Sequence, residues 1–143
     1  MALQPCACTS ERGARRRILL VEDEPFVREA TCSILLNAGF EVLPAEDAYE
    51  AMQVFEECGQ KIDLVMTDMV LPGRTGQQLG QDLRERTPEV AVLVTSGYGE
   101  AAYETESPET HTYFLAKPYS RRSLVEKIGT ILGIAFRAAK QAG

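Results

Sequence analysis

No apolar run in this 143-residue chain approaches the roughly 20 residues that a bilayer-crossing helix needs, and Met1 to Ser10 lack the charged and then apolar stretches of an export signal. A cytoplasmic location and no membrane partner are the expectation. Basic charge is scarce as well: the formal net charge is −6, and the one basic cluster is Arg15, Arg16 and Arg17. Direct binding of nucleic acid is thereby disfavoured, because its backbone has to be neutralised by clustered Lys and Arg. Cysteine and histidine are too few and too scattered for a structural metal framework. Cys6, Cys8, Cys32, Cys58 and His111 lack the recurrent ligand spacing of a zinc site. Cys32 and Cys58 fall within helical patterns and read as small hydrophobes, and His111 reads as a turn residue. Repeats and low-complexity segments are absent. What remains, 45% hydrophobic and 25% charged residues, fits one globular domain that buries roughly two-thirds of its unfolded surface.

The periodicity places a flexible lead-in over residues 1–16, a folded domain over 17–133 and a tail over 134–143. The first strand ends at Val21. Pro25 then suits a first helical position, and Val27, Ala30, Thr31, Ile34, Leu35 and Ala38 form one apolar face closed by Gly39. Phe40 to Leu43 reads as a short strand stopped by Pro44. Asp47 can cap a helix with Ala48, Ala51, Met52 and Phe55 on its buried face, closed by Gly59. The strand ending at Asp68 leads into the loop Leu71-Pro72-Gly73-Arg74-Thr75-Gly76 and a helix carrying Leu79 and Leu83, weakened by Gly80 and ended before Pro88. Residues 97–110 offer a thin fourth helix with only Ala101, Ala102 and Tyr103 to bury. Ser120 can cap the last helix, with Leu124, Val125, Ile128, Ile131 and Leu132 on one face before Gly133. Strands alternating with helices imply an α/β fold: a doubly wound five-stranded parallel sheet with five helices on its two faces.

Four apolar runs end in polar residues. Ile18 to Val21 leads to Glu22, Asp23 and Glu24; Ile62 to Thr67 leads to Asp68; Val90 to Val94 leads to Thr95 and Ser96; Tyr113 to Ala116 leads to Lys117 and Pro118. Ligands of open α/β sheets bind beyond the carboxyl ends of the strands, so carboxylates, a hydroxyl and an ammonium gather where a site belongs.

ILLVEDE at the first strand, DLVMTDMVLPGRTG around Asp68, VLVTSGY at the fourth strand and FLAKPY at the fifth resemble the receiver domains of bacterial two-component response regulators. The fragments keep their order, with intervals of 45 residues from Asp23 to Asp68, 27 to Thr95 and 22 to Lys117. The wording of ILLVEDEP and VLVTSGY is also similar to receivers attached to hybrid sensor kinases. The resemblance implies a flavodoxin-like fold with strand order 2-1-3-4-5, the order the chemotaxis receiver exemplifies. It further implies a cis bond at Lys117-Pro118 and an aromatic reporter of the threonine's state at Phe114, which carries no hydroxyl. Its partners would be a sensor histidine kinase or phosphotransfer protein upstream and an unidentified protein downstream. Oligomeric state is left open, a homodimer included.

The residue chemistry agrees with that family. Asp68 is the candidate nucleophile, since a carboxylate can form an aspartyl-phosphate. Carboxylates a few ångströms apart repel by about 4 kcal/mol per pair at an effective dielectric near 20, so Glu22, Asp23 and Asp68 need a cation. Mg²⁺ fits an oxygen-only donor set. Glu24 falls to the other side and reads as a solvated acid favourable to the helix dipole. Lys117 and Thr95 can each serve a phosphoryl oxygen, the first as a point charge and the second through its hydroxyl. The expected function is a phosphoacceptor switch rather than an enzyme. Three other readings compete. A phosphohydrolase would need a second acid where Val70 stands, and a flavodoxin-like carrier would need a phosphate cradle where three acids stand. A docking module that is never phosphorylated would keep the fold with a broken site.

Overall fold

The computed structural model describes residues 16–58, 62–71, 73–87, 89–96 and 111–133. Three strands are apolar on both faces, and they form the middle of the sheet: β1 (Arg17–Val21), β3 (Leu64–Asp68) and β6 (Ala91–Ser96). Doubly covered strands have no need of a polar face, which is why RILLV, LVMTD and AVLVTS do not alternate. On the flanks lie β2 (Glu41–Ala45), beside β1, and β7 (Thr112–Ala116), beside β6. All four pairings are parallel. The order β2-β1-β3-β6-β7 is the expected 2-1-3-4-5 counted within this sheet.

Two strand expectations need correction. The second strand does not stop at Pro44: β2 runs through it to Ala45, with Pro44 registered against Leu20. Proline lacks a donor for a second neighbour, and an edge strand asks for none on its outer side. Between Asp68 and Gly76 the chain is not simply a loop. Val70–Leu71 (β4) and Arg74–Thr75 (β5) pair as a small antiparallel hairpin, turned at Gly73 with φ 86°. Such a positive φ is where glycine is favoured.

Several helix ends are closed by residues that satisfy free backbone groups or suit the turn. In α1 (Pro25–Asn37) proline opens the first turn, and Gly39 follows the C-terminus at φ 101°. Asp47 caps α2 (Ala48–Cys58), its Oδ1 accepting the Glu50 N–H at 2.8 Å. Reciprocal capping boxes, Thr75 with Gln78 and Ser120 with Ser123, open α3 (Gly76–Arg86) and α4 (Arg121–Leu132), and Gly133 ends α4 in the left-handed region. The expected fourth helix over 97–110 and the closure at Gly59 lie outside the described residues, so four of the five expected helices are seen, and α3 ends at Arg86, before Pro88 as expected. None of the described helices is long and apolar enough to cross a membrane.

Apolar packing divides by face. Leu19, Val21, Val65, Val92 and Val94 pack with Ala51, Phe55, Leu79 and Leu83 of α2 and α3. Ile18, Leu20, Leu64, Met66 and Leu93 pack with Leu35, Leu124 and Ile128 of α1 and α4. Gly80 has a packing reason to interrupt α3, because a Cβ there would stand 3.1 Å from Val92 Cγ1. In α1 the expected apolar face is only half used: Thr31 and Leu35 are buried, whereas Val27 and Ala30 are exposed. The residues that α1 buries belong to its later turns; Phe26, beside the exposed Val27, is 79% exposed.

Candidate functional site

Period-two alternation brings the site together. Leu20, Met66, Leu93 and Tyr113 form one row across the sheet, and Asp68, Thr95 and Leu115 form the next, with Glu22 two residues beyond Leu20 and Lys117 two beyond Leu115. The inner row is apolar and packs toward α1 and α4. One step toward the carboxyl edge, the same face turns polar. A strand that changes from apolar to acidic at its end thus delivers its acid to the side its last core residue occupied.

Asp68 is the centre of this cluster. Its Oδ1 accepts hydrogen bonds from Lys117 Nζ at 2.7 Å and from Thr95 Oγ1 at 3.0 Å. Asp68 and Thr95 are buried on neighbouring central strands, and Met69 N–H donates to the Thr95 carbonyl at 2.7 Å, clamping the two strand ends together. Lys117 Nζ also lies 3.8 Å from Glu22 Oε1, and the bond between Lys117 and Pro118 is cis as expected. Glu22, Asp23 and Asp68 each offer an oxygen within 4.8 Å of the others'. Glu22 and Asp68 are buried and Asp23 is exposed. Glu24, at the N-cap of α1, is exposed and offers its N–H, not its side chain, to the cluster, donating to Glu22 Oε2 at 3.2 Å.

The acids of the cluster outnumber the one ammonium paired with them. Burial, then the hydrogen bond with Asp68 and its negative charge, pushes the Glu22 carboxyl up to about 7, against the opposing pull of the Glu24 N–H and Lys117. Burial would lower the Lys117 ammonium, but the hydrogen bond and charge of Asp68, helped by Glu22, outweigh it and leave the group raised. A carboxyl raised first by burial and then by a neighbouring carboxylate is one whose ionised form a nearby cation would favour. The donor set is all oxygen with one open member. That suits Mg²⁺, a hard ion that binds few protein carboxylates and keeps several waters.

Phe114 is half-buried and packs against the α2 and α3 side of the sheet, registered with Val94, whereas Thr95 is registered with Leu115 on the other face. Three residues that periodicity did not flag also shape the site. A Cβ at Gly76 would clash with the Asp68 carbonyl oxygen, so only glycine lets the start of α3 close over the Asp68 backbone. Tyr119 Oη lies 3.4 Å from Thr31 Oγ1, tying the segment after Lys117 to α1. Arg28 Nη1 donates to the Glu22 carbonyl at 2.7 Å. The signal for Gly76 was present in sequence, as a glycine at a helix start eight residues after Asp68; the other two are contacts that no local pattern encodes.

Residues 18–129 match the model of the response regulator receiver domain, and the chain belongs to that family. It is 34% identical over 116 residues to sensor kinase CckA of Brucella abortus, covering 80% of this chain and 12% of the kinase. It spans about half the length of the transcriptional regulatory proteins it also matches. Among solved structures, the receiver domain from hybrid histidine kinase CckA superposes with a TM-score of 0.69 at 34% identity, covering 81% of this chain and 98% of that one. The response regulator TrrA from Thermotoga maritima, in complex with Mg²⁺ and BeF, gives 0.71 at 27% identity, covering 82% and 99%. The expected fold and the likeness to hybrid-kinase receivers stand on these findings. Receiver domains are signalling domains of two-component systems.

Proposed function

We propose that residues 17–133 form a phosphoacceptor switch in which Asp68 takes a phosphoryl group from a phosphohistidine on a sensor kinase or phosphotransfer protein. The observation that carries this reading is the convergence on one buried carboxylate of a hydroxyl at 3.0 Å and an ammonium at 2.7 Å, beside two further acids. An Asp68 carboxylate oxygen attacks phosphorus, the phosphorus–nitrogen bond breaks, and its electron pair stays on the imidazole nitrogen, which then takes a proton. Glu22, Asp23 and Asp68 would hold Mg²⁺, whose charge supports the phosphoryl oxygens when bound. Lys117 and Thr95 hold Asp68 in place beforehand and each serve a phosphoryl oxygen afterwards. The barrier is lowered by positioning and charge, with little covalent work for the protein.

Drawing Thr95 toward the phosphoryl group changes the packing at the end of β6. Phe114, on the neighbouring strand and the opposite face of the sheet, would answer that change by repacking around the end of β6, and the surface it alters would be the one an unidentified downstream partner reads. The experiment is phosphorylation of Asp68→Ala by acetyl phosphate, read by intact mass. The variant should gain no base-labile phosphoryl group while keeping its fold; labelling equal to the unsubstituted chain would end the assignment.

A further inference from the structure

Glu22 sits at the turn between β1 and α1, and besides its contacts with Lys117 and Asp68 three hydrogen bonds hold it there. Its N–H donates to the Ala45 carbonyl at 3.0 Å, its Oε2 accepts from Glu24 N–H at 3.2 Å, and its carbonyl accepts from Arg28 Nη1 at 2.7 Å. The first two are made by backbone groups of the neighbouring strand end and of the turn itself. Only the third reaches across from the second turn of a helix. The Glu22 carbonyl stands past the β1 ladder and before the first helical bond of α1, which runs from Arg28 N–H to the Glu24 carbonyl. A backbone acceptor between two elements needs a partner that neither ladder supplies.

We propose that Arg28 is a positioning residue for the acidic site: by holding the Glu22 carbonyl, it sets the turn that presents Glu22 and Asp23 together toward Asp68. The proposal rests on the reading that these carboxylates take a divalent cation. Arg28 is half-buried and acts through a backbone oxygen rather than on the cation itself. Charge and position make opposite demands here. As a positive charge near an acidic cluster, Arg28 repels a divalent cation, so its removal on charge grounds alone strengthens binding. As an orienter of ligands, it supports binding, and outer contacts of this kind are typically worth 10–100-fold in metal affinity.

The experiment is a calorimetric Mg²⁺ titration of the unsubstituted chain, Arg28→Met and Arg28→Lys, with thermal midpoints recorded for each without metal. Arg28→Met should weaken Mg²⁺ binding on the order of 10-fold at a temperature where it is fully folded. Arg28→Lys keeps a charged donor and should recover part of the loss. Arg28→Gln replaces the Met variant if the latter does not fold. Arg122→Met, which removes an exposed charge on α4, should bind as the unsubstituted chain does. Unchanged or tighter binding in Arg28→Met, or a Lys variant no better than the Met variant, overturns the role of Arg28. Absence of Mg²⁺ binding in the unsubstituted chain would instead overturn the reading of the site, and this inference with it.

Discussion

The two ends of the central sheet handle buried charge in opposite ways. At the amino edge, Arg17 Nε pairs with Glu41 Oε1 at 2.8 Å, both side chains nearly covered, and the Arg17 N–H donates to Asp63 Oδ2 at 2.8 Å. One cation meets its carboxylate, and the strand starts β1, β2 and β3 are pinned in register. At the carboxyl edge, Glu22, Asp23 and Asp68 gather, Lys117 pairs with Glu22 and Asp68, and the Glu22 carboxyl is pushed up toward neutrality. The amino edge is complete in itself. The carboxyl edge gathers more acids than the ammonium paired with them, which fits the proposed cation. The same strands run between both edges, so the difference is a property of a few residues at the strand ends and not of the fold.

Breaking the carboxyl edge should abolish function and leave stability intact. Asp68→Ala is expected to lose phosphorylation entirely while its thermal midpoint holds or rises, because one member of a like-charge cluster has gone. Breaking the amino edge should do the reverse. Arg17→Met leaves Glu41 largely buried without this ion-pair partner, and loss of one partner of such a pair costs about 3–5 kcal/mol. Denaturant unfolding should show that loss while Mg²⁺ affinity, measured well below the midpoint, stays unchanged. A fall in both would mean that the two edges are not independent.

Gly76→Ala should fall between these extremes. Its added Cβ meets backbone, not a flexible side chain, so the Asp68 segment has to shift. A stability loss of about 1–3 kcal/mol is expected, with a larger proportional fall in the phosphorylation rate. Equal rates in the two proteins would show that the approach of α3 to Asp68 does not matter to the chemistry.

A further effect is one of pH. The Glu22 carboxyl binds its proton more tightly in the folded chain, about 7, than at its ordinary value of 4.5. Between those values the folded state holds a proton that the unfolded state has lost, so stability of the metal-free protein should fall as pH rises from about 4.5 to 7 and level off above. Glu22→Gln should flatten that part of the curve. Mg²⁺ should oppose the fall, because it binds the ionised form and displaces the proton. A metal-free protein whose midpoint rises over that interval would contradict the account of the carboxyl edge.

Much of this was legible in sequence because strands carry their side chains by parity. Ile18, Leu20 and Glu22 share one face, as do Leu64, Met66 and Asp68, so the end of each apolar run already said where its acid would stand. The caps at Asp47 and Ser120 follow from local hydrogen bonding. What escaped notice was set by neighbours. Pro44 ended a strand on local grounds and did not do so in the fold, because β2 is an edge. Two-residue strands such as β4 and β5 are too short to show a period. The link from Thr31 to Tyr119 spans 88 positions, beyond any pattern along the chain. Val27 and Ala30 fit the helical period but belong to the early turns of α1, where the pattern asks for a neighbour that the fold does not supply.

The central claim is that the carboxyl edge receives a divalent cation and a phosphoryl group together, and intact-mass spectrometry after incubation with acetyl phosphate tests it most directly. With Mg²⁺ the chain should gain a single phosphoryl group, and with the metal chelated it should gain none. Equal labelling in both conditions, or no labelling in either, would contradict it.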